Sequence, residues 1–445
     1  MNAAPAHLLS RRAWLGAAAA LATGAGLAGC GEGSGGSAAA TADLPGVDLV
    51  RSTRSRDAAP ATELPAAAGA VQDFSADLFR RLVATGGNLI CSPLSVHLAL
   101  AMTLLGARGR TGSELAGVLH TDDPARLARG LNALGTTLAG RAGRVTVGDQ
   151  KVDLQLDLAN ALWGQRGTVW QPAFLDALAS DFGAGMRTVD FAADPEQARR
   201  GINAWVGQIT RGTIGELIGQ GAIHTDTRLA LVNALHLKAP WLEPFDQQST
   251  RPGTFTLTGG RTVSADLMSG DPAGARYARG PGWQAVTLPY AGEALAMTLV
   301  LPDPDRAGTL AKTLDGAVLR RMIATPQPAA VQLTLPRWKA RTTASLRPQL
   351  EAMGAATLFT DAADLSGMTG TERLAVDAVL HQGYIAVDEI GTEASAATAV
   401  LARAVSMPAE MFTLRFDRPF LYVVHDLATA VPLFVGHLAD PTTTT

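Results

Sequence analysis

The chain has 445 residues, 47% of them hydrophobic, and a formal net charge of −3. That length holds one large domain or two to three ordinary ones, with enough apolar residues for a substantial core. The charge balance provides no electrostatic basis for binding nucleic acid or an anionic surface.

Residues 1–30 read as a targeting signal. Ser10-Arg11-Arg12-Ala13-Trp14-Leu15 supplies a positive start similar to a twin-arginine export signal. The apolar stretch from Ala13 to Ala28 is too short for a membrane span. It ends in Leu27-Ala28-Gly29-Cys30, which resembles a bacterial lipoprotein processing site, where the chain is cut before the cysteine and the thiol is lipidated. The expectation is an exported cell-envelope lipoprotein, held at the membrane only by the lipid on Cys30. Residues 31–68 are rich in Gly, Ser, Ala, Thr and Pro, lack hydrophobic periodicity and read as a disordered spacer. The chain has two cysteines. With Cys30 lipidated, Cys91 has no partner for an intrachain disulfide, although an export context permits one.

The ordered domain is expected over 69–440, with a short tail over 441–445. Phe74, Leu78, Phe79 and Leu82 recur at helical spacing. Ser92 is placed to cap a helix that begins at Pro93 and runs to Gly106; Ser95 and His97 inside it need buried partners. Further helices are predicted over Ser113 to His120, Ala125 to Leu138, Pro172 to Phe182 and Pro195 to Thr210. Leu154 to Trp163 and Met186 to Phe191 read as strands, and the near-continuous apolar run Leu229 to Leu237 as a central one. Short strands dominate from Thr254 to Leu301. A mostly helical segment follows over Ala307 to Ile323, then a strand over Val331 to Trp338, a short helix over Leu346 to Met353 and a long strand over Leu374 to Val387. Met411 to Phe416, Phe420 to His425 and Pro432 to His437 are β-like. Arg141 and Arg144 read as a solvated loop. Helices early and strands late, with no regular repeat, argue for one α+β domain.

Between the long strand and Met411, Asp388 to Pro408 loses its large side chains. As a strand it would present Thr392, Ala394, Ala396, Thr398, Val400, Ala402 and Ala404 on one face, all small and uncharged, with both charges, Glu393 and Arg403, on the other. As an alanine-rich segment it fits a helix or a flexible linker equally well.

No pattern for catalysis is present: no G-x-S-x-G, S-x-x-K or H-E-x-x-H and no phosphate loop. The histidines lack metal-ligand spacing, and two cysteines cannot build a zinc site. No enzyme activity, cofactor or metal is expected.

The domain from about Gly69 to Leu438 nevertheless resembles a serpin, through motifs spread in order along it. Asn88-Leu-Ile-Cys-Ser-Pro-Leu-Ser95 is similar to the family's second-helix signature. Val189-Asp-Phe191, Ile202-Asn-Ala-Trp-Val206 and Thr210-Arg-Gly-Thr-Ile214 resemble its sixth-helix region. Leu231-Val-Asn-Ala234 and Lys238-Ala-Pro-Trp241 resemble a main-sheet strand. Asp388-Glu389 with Gly391-Thr-Glu-Ala394 resembles the hinge of a reactive-centre loop. Phe416-Asp-Arg-Pro-Phe420 and Pro432-Leu-Phe-Val-Gly436 resemble the C-terminal signature.

The resemblance implies an α+β fold of three β-sheets and about nine helices, a metastable native state and an exposed reactive-centre loop. It implies a monomeric suicide inhibitor of serine proteases: the loop is cut, an acyl-enzyme forms, and the loop inserts into the main sheet before the enzyme deacylates. About fifteen residues at about 3.3 Å each span roughly 50 Å, far enough to carry the protease to the opposite pole. The hinge maps to Glu389, Gly391, Thr392, Glu393, Ala394, Ser395, Ala396, Ala397 and Thr398. Family spacing places the cut between Val405 and Ser406, which suits an elastase-like protease; Arg403 is the alternative bait, for a trypsin-like one. Ser92, Ser95, Asn233 and His381 fall on the hydrogen-bonded shutter. Trp241, Arg337 and Glu389 fall at the breach, where insertion starts, with Arg337 and Glu389 expected to pair. Ile390 departs from the polar residue usual before the hinge glycine and is expected to alter anchoring without blocking insertion. A non-inhibitory carrier or binding protein on the same scaffold is the alternative.

Overall fold

The apolar run beginning at Leu229 forms a strand, Leu229–Pro240, buried along almost its whole length. The reason it is apolar at successive positions is that both its faces are covered. Leu229, Leu231, Leu235, Leu237 and Ala239 pack into the larger core, which includes the buried face of helix Pro93–Gly106. Ala230, Val232 and Ala234 point the other way, into a smaller core with Ile202, Trp205 and Val206 of helix Pro195–Ile209. The computed structural model of the protein describes residues 44–304, 306, 308–393 and 411–444.

Three sheets surround the larger core. The main sheet runs Asp48–Val50, Met186–Val189, Gln150–Gln165, Leu229–Pro240, Gly391–Thr392, Ala378–Val387 and Trp338–Ser345, with Gly143–Val147 paired to Gln150–Gln165. A second sheet of seven strands runs Gln327–Pro328, Arg276–Gly280, Trp283–Pro289, Leu295–Pro302, Phe420–Asp426, Pro432–Leu438 and Leu89–Cys91. The third runs Met411–Arg415, Ala330–Pro336, Thr262–Gly270 and Arg251–Thr256. Eight α-helices occur among the described residues, against the nine or so expected. Two of them begin as their sequences dictate. Asp123 and Asp194 each accept a hydrogen bond from a first-turn amide, and Pro124 and Pro195 follow in the first helical position. Cys91 is buried, its thiol pushed up to about 12 by desolvation.

Several expectations need correction. The spacer predicted over residues 31–68 is structured within its described part, 44–68. Asp48–Val50 is an edge strand paired with Met186–Val189, and the first α-helix begins at Leu64. The segment's ties are mixed: Arg166 Nε donates to Asp48 at 2.8 Å and Arg56 Nε to Asn132 at 2.6 Å, while Leu44, Val47 and Val50 pack against the cores. The short tail is docked through residue 444, with Asn88 Nδ2 donating to the carbonyls of Asp440 and Thr443 and Arg341 N to that of Thr444. Ser92 makes no side-chain cap; its hydroxyl donates to Ser95 instead. Arg141 does not lie in a solvated loop, because its guanidinium meets Asp426, which is fully buried, at 2.7 Å. Trp338 starts a separate strand, Trp338–Ser345, at the sheet's edge.

Candidate functional site

The site lies where the two central strands of the main sheet part. Residues 378–382 pair directly and in parallel with 230–234, from Ala378 opposite Ala230 to Gln382 opposite Ala234. Beyond that ladder the strands diverge, and Gly391–Thr392 sits between them. Thr392 lies opposite both Val387 and Ala239, antiparallel to each strand, and Gly391 opposite Pro240. The chain reverses at Asp388, whose carboxylate accepts from the amides of Ile390 at 2.8 Å and Gly391 at 3.2 Å. Position 391 must be glycine, since a Cβ there would lie 2.3 Å from the Ala239 carbonyl oxygen and 2.6 Å from Pro240 Cα. Ile390 contributes through its carbonyl, which accepts from Trp241 N at 2.9 Å. Any residue supplies that carbonyl.

Glu389 is 2% exposed and receives Arg337 Nε at 2.7 and 2.8 Å on its two oxygens. Burial raises the carboxyl's pKa, but the hydrogen bonds from Arg337 and Thr250 outweigh burial and hold it below the usual carboxylate range. Trp241 Nε1 donates to the Asp388 carbonyl at 3.0 Å, and its ring stacks on Tyr290 with centroids 4.7 Å apart. The Tyr290 hydroxyl meets Thr392 Oγ1 at 2.6 Å, so Thr392, 1% exposed, is hydrogen-bonded inside the core. Sequence reasoning assigned no role to Tyr290 or Thr250, which lie far along the chain from the hinge.

Glu393 leaves the sheet in a left-handed conformation, φ 51°, while its amide still donates to the Ala386 carbonyl at 2.9 Å. Its carboxylate reaches across to His236 Nε2 at 2.9 Å, and His236 Nδ1 lies 3.2 Å from Asp157. Sequence reasoning assigned no role to His236; its position two residues after Ala234, on the same strand face, was the available signal.

Further down the central strands, Ser92 N donates to His381 Nε2 at 3.1 Å and Ser92 Oγ to Ser95 Oγ at 3.0 Å. Asn233 lies opposite His381 in the parallel ladder, but its side chain makes no hydrogen bond among the described residues. The structure therefore links three of the four residues expected at the shutter, Ser92 bonding His381 through its amide and Ser95 through its hydroxyl. Burial pushes His381, His97 and His425 each down to about 4, so all three are neutral in the folded protein. A lowered histidine pKa contributes stability that is fully present above the unfolded value of about 6.5 and declines as pH falls toward the folded value. Urea unfolding should accordingly lose stability from pH 6.5 down to 4.5, and His381→Gln should shallow that slope. An unchanged slope in the variant would show that His381 titrates normally.

Ala394, Ser395, Ala396, Ala397, Thr398, Arg403, Val405, Ser406 and Cys30 lie outside the described residues. Among the described residues no helix is long and apolar enough to cross a membrane, and no acidic or histidine cluster could hold a metal ion.

A family profile described as "Serpin (serine protease inhibitor)" matches residues 69–441. The chain belongs to the serpin family. It is 34% identical over 377 residues to "Leukocyte elastase inhibitor" of Xenopus tropicalis, covering 83% of this chain and 97% of that protein. The serpin from Bos taurus with the same name is 34% identical over 381 residues, with the same coverage. Among solved serpins, the native state of the thermophilic serpin tengpin superposes with a TM-score of 0.75 at 25% identity, covering 88% of this chain and 97% of that one. Thyroxine-binding globulin in complex with thyroxine shares the fold, with a TM-score of 0.72 at 23% identity, 84% of this chain and 99% of that one.

Proposed function

We propose that this serpin is an irreversible suicide inhibitor of an elastase-like serine protease, cut between Val405 and Ser406 and trapping the acyl-enzyme by inserting its loop into the main sheet. The observation that carries the reading is Gly391–Thr392, already seated between the two strands that must part. Continued in the same register, Ala394 would fall opposite Leu237, Ala396 opposite Leu235 and Thr398 opposite Asn233. The small row would then face the larger core, while Ala397 and Ala399 would lie beneath helix Pro195–Ile209. Small side chains on both faces let a strand slide in without forcing the layers apart.

The uncut chain is held at both ends of this segment, by Thr392 in the main sheet and by Met411 in the third. About ten residues of insertion would move the loop roughly 33 Å into the sheet, so cleavage is needed to release the far end. The two leukocyte elastase inhibitors named above support the choice of protease by similarity, as does the small apolar Val405. Export and anchoring through lipidated Cys30, with a spacer reaching the folded part near residue 44 and a monomeric inhibitor beyond it, complete the proposal.

Mixing the protein with an elastase-like protease should give a covalent complex that survives denaturing electrophoresis, with a released peptide beginning at Ser406. A peptide beginning at Ala404 would move the cut to Arg403 and a trypsin-like target. Simple turnover without complex, and no thermal stabilisation after cleavage, would leave a non-inhibitory binding protein.

A further inference from the structure

We propose that His236 is a charged latch that fixes the hinge in its half-inserted position by bridging Asp157 of one sheet strand and Glu393 of the loop. The geometry is that of a doubly bonded imidazolium, with a carboxylate at each ring nitrogen, 3.2 Å from Nδ1 and 2.9 Å from Nε2. The ring is 4% exposed, so the three charges are largely shielded from solvent. Asp157 in turn accepts from Arg211 Nε at 2.8 Å, just beyond the end of helix Pro195–Ile209. The series Arg211, Asp157, His236, Glu393 alternates in charge, and it runs from the helix that covers the sheet to the residue at which the loop leaves it.

Glu393 is gripped from both sides of the opening. Its backbone is bonded to Ala386 in one central strand and its side chain to His236 in the other. Those two attachments hold φ at 51°, a conformation unfavourable for a residue with a Cβ. Further insertion would return Glu393 to extended geometry, so the latch keeps the hinge waiting at the start of the path. Its role is positioning: it holds Thr392 in register between the two central strands.

The latch depends on the proton it shares. Burial lowers the His236 pKa, but the hydrogen bonds and charges of Asp157 and Glu393 outweigh burial and raise it to about 9. The charged groups around it are Asp157 and, more remotely, Asp153 on the neighbouring strand, Arg211 after the helix and Glu393 in the hinge. Lys238 on its own strand, and Arg341 with the neutral phenol of Tyr384 on the far side of the opening, complete the set. A raised histidine pKa contributes stability that is fully present below about 6.5 and is lost as pH rises through the folded value. The latch therefore holds at neutral pH and releases in alkali.

The inference concerns the uncut protein; only its effect on trapping rests on the inhibitory reading. The experiment is hydrogen exchange on the full chain at pH 7, comparing wild type with His236→Phe and Glu393→Gln. Both variants should speed exchange of the backbone amide at position 393 about tenfold or more, with the Leu231 and Val232 amides unchanged. By NMR, His236 should titrate near pH 9 in wild type and markedly lower in Glu393→Gln. Unchanged hinge exchange, or a wild-type titration near 6.5, would overturn the latch. A covalent protease complex alongside unchanged hinge exchange would sink the latch alone. Altered exchange without a complex would sink only the inhibitory reading.

Discussion

Thr392→Arg is expected to convert the protein from an inhibitor into a substrate. Thr392 is the first loop residue committed to the interior, and its hydroxyl is already satisfied by Tyr290. An arginine there cannot follow it, because the partner of the Thr392 side chain is the Tyr290 hydroxyl, on a ring stacked against Trp241, and not a carboxylate. Burying an uncompensated charge costs several kcal/mol even after relaxation. A penalty of about 3 kcal/mol on the insertion step slows it on the order of 100-fold at about 1.4 kcal/mol per tenfold. In the proposed trapping mechanism deacylation is untouched by the substitution, so it wins the competition and the protease is released. Quantified gels should show cleaved product replacing complex at equal protease, whereas Thr392→Val, similar in shape and uncharged, should still form complex. The variant's fold should survive, since the hinge can withdraw and leave the arginine in water. A Thr392→Arg protein that traps protease as well as wild type would rule out insertion through this opening.

The second large effect is expected at Arg337. Removing its guanidinium by Arg337→Ala leaves Glu389 at 2% exposure with Thr250 as its remaining side-chain donor. Breaking a fully buried ion pair costs about 3–5 kcal/mol. The Arg337 side chain is 41% exposed, so solvent screens part of the interaction and roughly 2 kcal/mol is the better expectation. The loss should appear in urea unfolding at pH 7. It should shrink on acidification: the folded Glu389 pKa is depressed, so its contribution is present above the unfolded value of about 4.5 and is lost as pH falls through the folded value. Glu389→Gln should be milder, because an amide replaces the stranded charge. Equal stability of Arg337→Ala and wild type at pH 7 would show that the pair only orients the hinge.

What the sequence made legible follows from local physics. Leu229 to Leu237 could be assigned to a doubly covered strand because apolar side chains at successive positions have few other uses. Helix Pro172–Phe182 was bounded by its own proline and by the glycine after it, which adopts the left-handed cap. The hinge assignment came from the resemblance carried by Asp388-Glu389 and Gly391 to Ala394 rather than from local physics; the structure seats Gly391–Thr392 between the two central strands. The strand Trp338–Ser345 was missed because it is an edge strand whose Lys339, Arg341, Thr342 and Thr343 read as loop. The contacts that complete the site were beyond local reading. Thr250 is 139 residues from Glu389, Tyr290 is 102 from Thr392, and His236 is 157 from Glu393. No periodicity encodes such encounters; they arise only once the sheets have packed.

During folding, the parallel ladder between 230–234 and 378–382 joins segments roughly 150 positions apart, a non-local pairing of the kind that forms late. The hairpin that seats Thr392 against Val387 spans only a handful of residues, a local closure of the kind that forms early. If chain proximity alone governed assembly, that hairpin would lengthen downward and fill the sheet before the distant strands met. Met411 is paired in the third sheet, in register with Ala330, a contact that would hold the far end of the segment against such lengthening. If the order of pairing governs the outcome, a newly made chain should reach this arrangement only where the third sheet docks before the main sheet closes.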